Sequence, residues 1–395
     1  MPIDFYAEAE KLFPYTLKLR RDFHMHPELG FEEVRTAGIV AGELNELGIE
    51  VTTGVGKTGV VGIIEGRAPG PVVLLRFDMD ALPIHEETGA AYASQTPGVM
   101  HACGHDGHTA VGLSVAKILH KHRDQFSGTA KLVFQPAEEG LGGAREMVKD
   151  GVLTNPKPDF SIGMHVWNDQ LVGKIAATAG PMMAASEMFS VTISGKGAHG
   201  ASPHLGKDPI LAASQIITAL QSVVSRNVDP LETAVISVTA INGGTAFNVI
   251  PPEVSLKGTI RTYLPEIREM VLRRVDEIIR GIAESMQCTA EIKIEDVTPA
   301  VINDPRLAEL INGIRNEILP ETEDLSGLRT MGSEDMAYLM DDIPGCYIFV
   351  GSKNEEKNLV YGHHHPKFDF DEQALMQGVA LVSASAVAVL NGAVE

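Results

Sequence analysis

The chain has 395 residues, 44% of them hydrophobic and 21% charged, with 32 Lys plus Arg against 52 Asp plus Glu and a formal net charge of −20. That length holds no more than about three ordinary domains, and that composition is of a globular protein, which excludes disordered and collagen-like chains. The acidity repels phosphate backbones and anionic membrane surfaces, so neither nucleic acid nor a membrane is expected as a partner.

Residues 3–22 and 32–47 place apolar side chains three and four apart and are expected to be helices. Val60–Ile64 and Val72–Phe77 are apolar runs of strand length. A helix over 107–122, a strand over Ala130–Gln135, a short helix over 142–150 and a strand over Phe160–Val166 are expected next. Strands alternating with helices indicate an α/β domain on a mixed sheet, with helices on both faces. From Glu187 the pattern changes. A strand over Glu187–Ser194, a helix over 207–226, strands over 233–241 and 253–261, a charged amphipathic helix over 265–286 and a strand over 289–294 give the order βαββαβ. That is the order of an α+β ferredoxin-like unit. The chain then returns to helices over 305–317 and 334–340, a strand over Cys346–Val350 and a helix over 372–391. The expected layout is one catalytic domain in two halves, 1–184 and 297–395, interrupted by an inserted domain at 185–296.

No basic start followed by an apolar core suggests a secretory signal, and Gly378–Leu390 is too short to cross a bilayer. Cys103, Cys288 and Cys346 are odd in number and widely spaced, which argues against a disulfide framework and for a reducing cytoplasm.

Histidines gather where the chain carries its other metal-seeking groups. His101, His105 and His108 surround Cys103 in MHACGHDGHTA, His165 ends a predicted strand, and His363, His364 and His365 precede Pro366. Glu138 and Glu139 follow a strand in FQPAEEG. Thiolate, imidazole and carboxylate together suit a zinc-like ion. In extended backbone Cys103 and His105 would point to one site, while the adjacent Glu138 and Glu139 would point apart, one to bind metal and the other to shuttle protons. Cys103 stands just before a helix N-terminus, which favours its thiolate. Asp78 and Asp80, ending a strand, read either as surface or capping groups or as carboxylates that hold a ligand imidazole.

Gly54–Gly59 (GVGKTG) matches GxGxxG, but strand-like GVVGII follows where a nucleotide site needs a helix, so a turn between strands is expected. His24, His26, His120 and His122 lie near helix ends and read as capping or packing residues. Met182 and Met183 read as packing, and Ser333 as a helix N-cap. Polar, glycine-flanked loops at Gly195–Gly200 and Asn242–Asn248, with Arg261 ending the following strand, suggest a lid reaching toward a site.

Together, HACGHD, QPAEEG, His165, GKGAHGASP, FNVIPPEV and HHHPKFDFDE resemble the di-metal amidohydrolases and metallopeptidases of the aminoacylase, hippurate hydrolase and glutamate-type carboxypeptidase group, in the right order and over nearly the whole chain. The branch of hippurate hydrolases, N-acyl-amino-acid amidohydrolases and auxin-conjugate hydrolases is the most similar. The resemblance implies that Cys103, His105, Glu139, His165 and His364 hold two divalent metal ions, zinc first, with manganese, cobalt or nickel as alternatives. His364 is chosen because the group's ligand stands two residues before the proline. Glu138 matches the general base and acid, Asp80 the supporting aspartate, and Asp78 stands where many relatives carry a metal-binding histidine. His199 matches a lid histidine on the substrate's carbonyl oxygen, often across a dimer interface, while Asn248 and Arg261 match substrate-binding positions, the arginine facing a carboxylate. The implied reaction is hydrolysis of the amide bond of N-acyl amino acids by metal-activated water, in a cytoplasmic homodimer formed through the inserted lid and dimerisation domain. The alternative is a metallo-carboxypeptidase or dipeptidase acting on a C-terminal residue of a short peptide. A cysteine hydrolase with Cys103 as nucleophile would leave Glu138, Glu139, His165 and His364 unexplained, and a non-catalytic metal-binding protein would leave Glu138 without a role.

Overall fold

Apolar runs become strands and three- and four-spaced apolar positions become helices, and the computed structural model, which describes residues 3–394, sorts them into two units. The first unit runs to Met182, resumes over Ile302–Arg329 and continues from Asp335. The second takes Met183–Val301 and a short later segment, Thr330–Glu334.

In chain order the first unit opens with α1 (Phe5–Met25) and α2 (Val34–Glu46), then β1 (Glu50–Val55), β2 (Gly59–Glu65) and β3 (Val72–Asp78). Next come α3 (His105–Lys121), β4 (Thr129–Gln135), α4 (Gly143–Lys149), β5 (Phe160–Leu171) and β6 (Lys174–Ala176). The chain leaves through β7 (Gly180–Met183). The second unit holds β8 (Ala185–Ser194), β9 (Ala198–His199), α5 (Pro209–Arg226), β10 (Ala234–Gly243), β11 (Val249–Ile250), β12 (Glu253–Thr262), α6 (Pro265–Ser285) and β13 (Thr289–Thr298). The return passes through β14 (Val301–Asn303) to α7 (Pro305–Ile318), β15 (Glu323–Asp324), β16 (Gly345–Lys353) and α8 (Gln373–Leu390).

The sheet of the first unit has the order β1-β2-β4-β3-β5-β16-β6-β15. Its middle strands β4, β3, β5 and β16 run parallel, while β1 and β2 are antiparallel at one side. Strands buried on both faces read as continuous apolar runs, which is why β3 and β16 are legible in the sequence. Strand β1 is exposed along most of its length and shows no such run, so only its turn into β2 is anticipated, at Gly54–Gly59. Segment 334–340 is a short 3-10 turn over Asp335–Leu339. Helices α1, α3 and α8 pack on one another. Helix α8, expected over 372–391, is 18 residues long and apolar enough to cross a membrane by length and composition alone, yet every residue from Ala374 to Val387 is buried.

The second unit sets α5 and α6 against a four-stranded antiparallel sheet of order β10-β12-β8-β13. Val271, Val275 and Ile279 recur every fourth residue on α6 and meet Phe189, Val191 and Ile193 of β8 in one apolar core. Asp208 caps α5 by accepting the N–H of Ile210 and Leu211, with Pro209 in the first turn. The unit begins two residues before the expected boundary and runs five past it. It also recruits Thr330–Glu334, where Ala184 donates its N–H to the Gly332 carbonyl at 2.9 Å.

A Cβ added at Gly258 would lie 2.3 Å from Phe189 Cζ and 2.3 Å from the Ser237 carbonyl oxygen. Gly258→Ala is therefore expected to destabilise the protein by about 1–3 kcal/mol, read as a lower urea midpoint. An unchanged midpoint would mean that both the Phe189 ring and the Ser237 peptide can shift at no cost.

Candidate metal centre

The chemistry-bearing loops of the first unit follow the carboxyl ends of its parallel strands, where open α/β sheets generally hold ligands. Asp78 ends β3 and Asp80 follows it; Gln135 ends β4, and Pro136, Ala137, Glu138 and Glu139 follow that. His165 lies within β5, opposite Phe349 of β16. His105 is the first residue of α3, and the turn into it depends on Gly104, at φ +97. A Cβ there would fall 2.4 Å from Val166 Cγ2, so both conformation and space require glycine. The local geometry thus differs from the extended segment expected between Cys103 and His105.

Donor atoms converge in overlapping sets, each within 4.8 Å: Cys103, Glu139 and His364; His105, Glu138 and Glu139; Cys103, His165 and His363. Glu139 belongs to both of the first two. His364 Nε2 stands 3.1 Å from Glu139 Oε1, and Cys103 Sγ 3.4 Å from His165 Nε2. The backbone N–H of His364 donates to the Ala102 carbonyl at 2.8 Å, tying the histidine-rich loop to the Cys103 segment. His363 is also near, 3.9 Å from Cys103 Sγ, but its Nε2 accepts the Asn168 N–H at 3.1 Å. His108 has both ring nitrogens engaged, Nδ1 on Asp78 at 2.6 Å and Nε2 accepting the Val166 N–H at 2.9 Å, so it braces the site rather than offering a ligand.

The two aspartates are buried supports, not surface caps. Asp80 Oδ1 sits 3.2 Å from His105 Nδ1, and its Oδ2 accepts the Glu139 N–H at 3.0 Å, so one carboxylate orients two donor residues. Asp78 is held well below the ordinary carboxylate range: burial opposes this, but the charges of Arg76, His105 and His108 outweigh it. Arg76 is itself buried and donates to Asp78 at 2.7 Å, Gln135 at 2.7 Å and Asp335 at 3.2 Å. Neither Arg76 nor His108 is singled out as a support by the sequence reading. The signal for Arg76 is a lone charge in an otherwise apolar strand, VVLLRFD.

Burial, followed by the charges of Glu139, Glu138 and Asp78, pushes the Cys103 thiol well above the usual range, so the thiolate expected from the nearby helix N-terminus needs a cation beside it. The Nε2 of His105 is meanwhile buried with no hydrogen-bond partner among the described residues, 3.6 Å from Asp78 Oδ2. An orphaned imidazole nitrogen, a thiol surrounded by carboxylates and two donor sets sharing Glu139 fit a pair of divalent ions.

Helix α3 is anchored through its second residue. Asp106 accepts from Arg20 Nε at 2.9 Å and meets His24 Nδ1 at 2.8 Å, all three buried; Arg20 also donates to Asp369 at 2.7 Å. His24 therefore belongs to an internal charge network joining α1, α3 and the loop before α8.

The three remaining site candidates lie in the second unit. His199 on β9 pairs with Val249 on β11, and the Asn248 carbonyl accepts the Gly200 N–H at 2.7 Å, so His199 and Asn248 share one exposed two-stranded loop. Arg261, half-buried on β12, donates to the hydroxyls of Ser333 at 2.7 Å and Thr259 at 3.1 Å. The Ser333 hydroxyl, expected to cap a helix, receives this guanidinium.

The sequence profile of Peptidase family M20/M25/M40 matches residues 74–387. The N-acetyl-L-cysteine deacetylase of Bacillus subtilis is 40% identical over 373 residues, covering 94% of this chain and 88% of its own. The thermostable carboxypeptidase 1 of Saccharolobus solfataricus is 38% identical over 390 residues, covering 97% and 98%. Among solved structures, the Bacillus subtilis YXEP protein, described as a dinuclear metal binding peptidase from the M20 family, superposes with a TM-score of 0.85 at 36% identity, covering 96% of this chain and 99% of that one.

The charge network makes a pH prediction. Burial alone would lower the His24 pKa, but the charge and hydrogen bond of Asp106 raise it to about 9. A raised pKa stabilises the fold fully below the unfolded value of about 6.5, and that gain is lost as pH climbs through 9. Between those limits the native protein is expected to lose on the order of 3 kcal/mol more than His24→Gln, read from urea midpoints. Equal slopes would show that the ring carries no charge.

Proposed function

The chain belongs to Peptidase family M20/M25/M40 and is a metal-dependent hydrolase, and we propose that it cleaves the amide bond of N-acyl amino acids to release a free amino acid and a carboxylic acid. The observation that carries this reading is the pair of donor sets sharing Glu139, with Glu138 in one of them.

Cys103, His105, Glu139, His165 and His364 are the residues to hold two ions, and the mixed thiolate, imidazole and carboxylate set favours zinc over manganese, cobalt or nickel. When bound, such ions lower the pKa of water toward ~7 and polarise a carbonyl. Glu138 accepts the proton of the attacking water and delivers it to the departing amine. Asp80 keeps His105 and the Glu139 backbone in place for this. In the second unit, His199 is assigned to the developing oxyanion, Asn248 to substrate binding, and Arg261 to a bidentate grip on the substrate's carboxylate. The Arg261 assignment is supported by burial of the guanidinium against hydroxyl partners.

The second unit is read as a ferredoxin-like lid and dimerisation domain, from the βαββαβ order of its four-stranded sheet and two helices. Homodimerisation is supported by the outer position of β10 in its sheet and by exposed Phe247, Val249 and Ile241. A cytoplasmic setting is supported by three buried, unpaired cysteines. A metallo-carboxypeptidase or dipeptidase acting on a C-terminal residue is the second reading, favoured by the 38% identity to the Saccharolobus solfataricus carboxypeptidase.

The test is release of free amino acid from N-acetyl and N-benzoyl amino acids and from dipeptides. Metal-replete protein is expected to be active, chelated protein inactive until zinc is restored, and Glu138→Ala slower by about 10²–10⁴-fold. Activity on dipeptides alone would select the peptidase reading. Activity indifferent to both chelation and Glu138→Ala would refute the mechanism.

A further inference from the structure

Glu33 is a carboxylate that none of these roles uses. It is fully buried and stands at the N-cap of α2, yet its side chain caps nothing there. Glu28 does that instead, accepting the N–H groups of Arg35 and Thr36 at 2.8 Å each. The Glu33 carboxylate is turned to two distant segments: Oε1 accepts the Ala137 N–H at 2.8 Å and Oε2 the Thr58 hydroxyl at 2.5 Å.

Ala137 immediately precedes Glu138. Its φ of +51 lies in the left-handed region, which a residue with a Cβ keeps only when its surroundings hold it there. Those surroundings are close. A Cβ on Gly30 would fall 3.0 Å from Ala137 Cβ and 2.9 Å from Leu141 Cδ1, so the segment leading to Glu33 lies flat against the loop. Phe31, at φ +66, carries the Lys57 ammonium 3.6 Å over its ring. Lys57 and Thr58 belong to the Gly54–Gly59 turn that mimics a nucleotide fingerprint, and Gly56 of the same turn donates its N–H to Asp150 at 2.7 Å.

We infer that Glu33 is a positioning residue for hydrolysis: it clamps the Ala137 peptide in the left-handed conformation that presents Glu138 and Glu139 to the donor sets, and the Gly54–Gly59 turn braces the clamp. The rate effects rest on the amidohydrolase reading; zinc affinity, through Glu139, tests the clamp separately.

The experiment compares Glu33→Ala, Glu33→Gln and Glu33→Ala combined with Ala137→Gly, measuring kcat, KM and zinc affinity in competition with a chromophoric chelator. Glu33→Ala is expected to lose about 100-fold in kcat with KM within about threefold, and about tenfold in zinc affinity. Glu33→Gln keeps an acceptor for the Ala137 N–H and offers its amide N–H to the Thr58 hydroxyl, which then accepts instead of donating, and is expected within about threefold of the native protein. Glycine takes a positive φ without help, so adding Ala137→Gly should restore at least about tenfold of the lost kcat; a clamp that served only overall stability would not be relieved this way. Native kcat and zinc affinity in Glu33→Ala, or a loss that Ala137→Gly leaves untouched, would overturn the inference. If Glu33→Ala does not fold, Thr58→Val carries the same comparison, with an expected loss of about threefold to tenfold in kcat that Ala137→Gly reduces; no loss, or no reduction, overturns it equally. A native protein that binds zinc but releases no amino acid from any conjugate or peptide would overturn the proposed function alone, because the zinc competition still reads the clamp.

Discussion

Asp78 and Asp80 are buried behind the partly exposed Glu138 and Glu139 and the buried Cys103 thiol, and the negative charge of these carboxylates has to be neutralised locally. Arg76 does this on the inner side, with its guanidinium spread over Asp78, Gln135 and Asp335. On the side of Cys103 and Glu139 the protein supplies histidines but no lysine or arginine among the partners described there. The compensating charge on that side is left to come from outside the chain. Metal affinity and the depth of burial are thus two aspects of one electrostatic arrangement.

The same logic explains why so much of the site is braced from behind. Side chains that carry like charges do not stay together unless their backbones are held. Asp80 holds the Glu139 N–H, Asp106 fixes the first turn of α3 to Arg20 and His24, and the His364 N–H is tied to Ala102. Each brace is a hydrogen bond between segments far apart in sequence, and each costs the fold a buried polar group that must stay paired.

That division also sets what can be read from sequence. Cys103, His105, Glu138, Glu139, His165 and His364 are legible because thiol, imidazole and paired carboxylates in short motifs announce their chemistry locally, and the structure gathers them in one unit. The supports are less legible. Glu33 sits among other glutamates in PELGFEE, and only its contacts with Ala137 and Thr58 single it out. The place of Cys103 before a helix is visible in the sequence, but the burial and the carboxylates that oppose its thiolate are added by folding. Strand β1 escapes notice because it buries no face, and Thr330–Glu334 because five residues carry no sign of the unit they join.

The strand order of the large sheet has a consequence for biosynthesis. Strand β16 lies between β5 and β6, so the middle of the sheet is completed by a segment translated roughly 170 residues after β5. Until it emerges from the ribosome, the edge of β5 that β16 will occupy displays unpaired backbone amides and carbonyls beside apolar side chains, an open template for pairing with other nascent chains. The second unit, whose helices and sheet are contiguous in sequence from Ala185 to Thr298, can form its own apolar core during that interval. Synthesis of this enzyme therefore puts its most chaperone-dependent moment in the catalytic sheet rather than in the inserted unit.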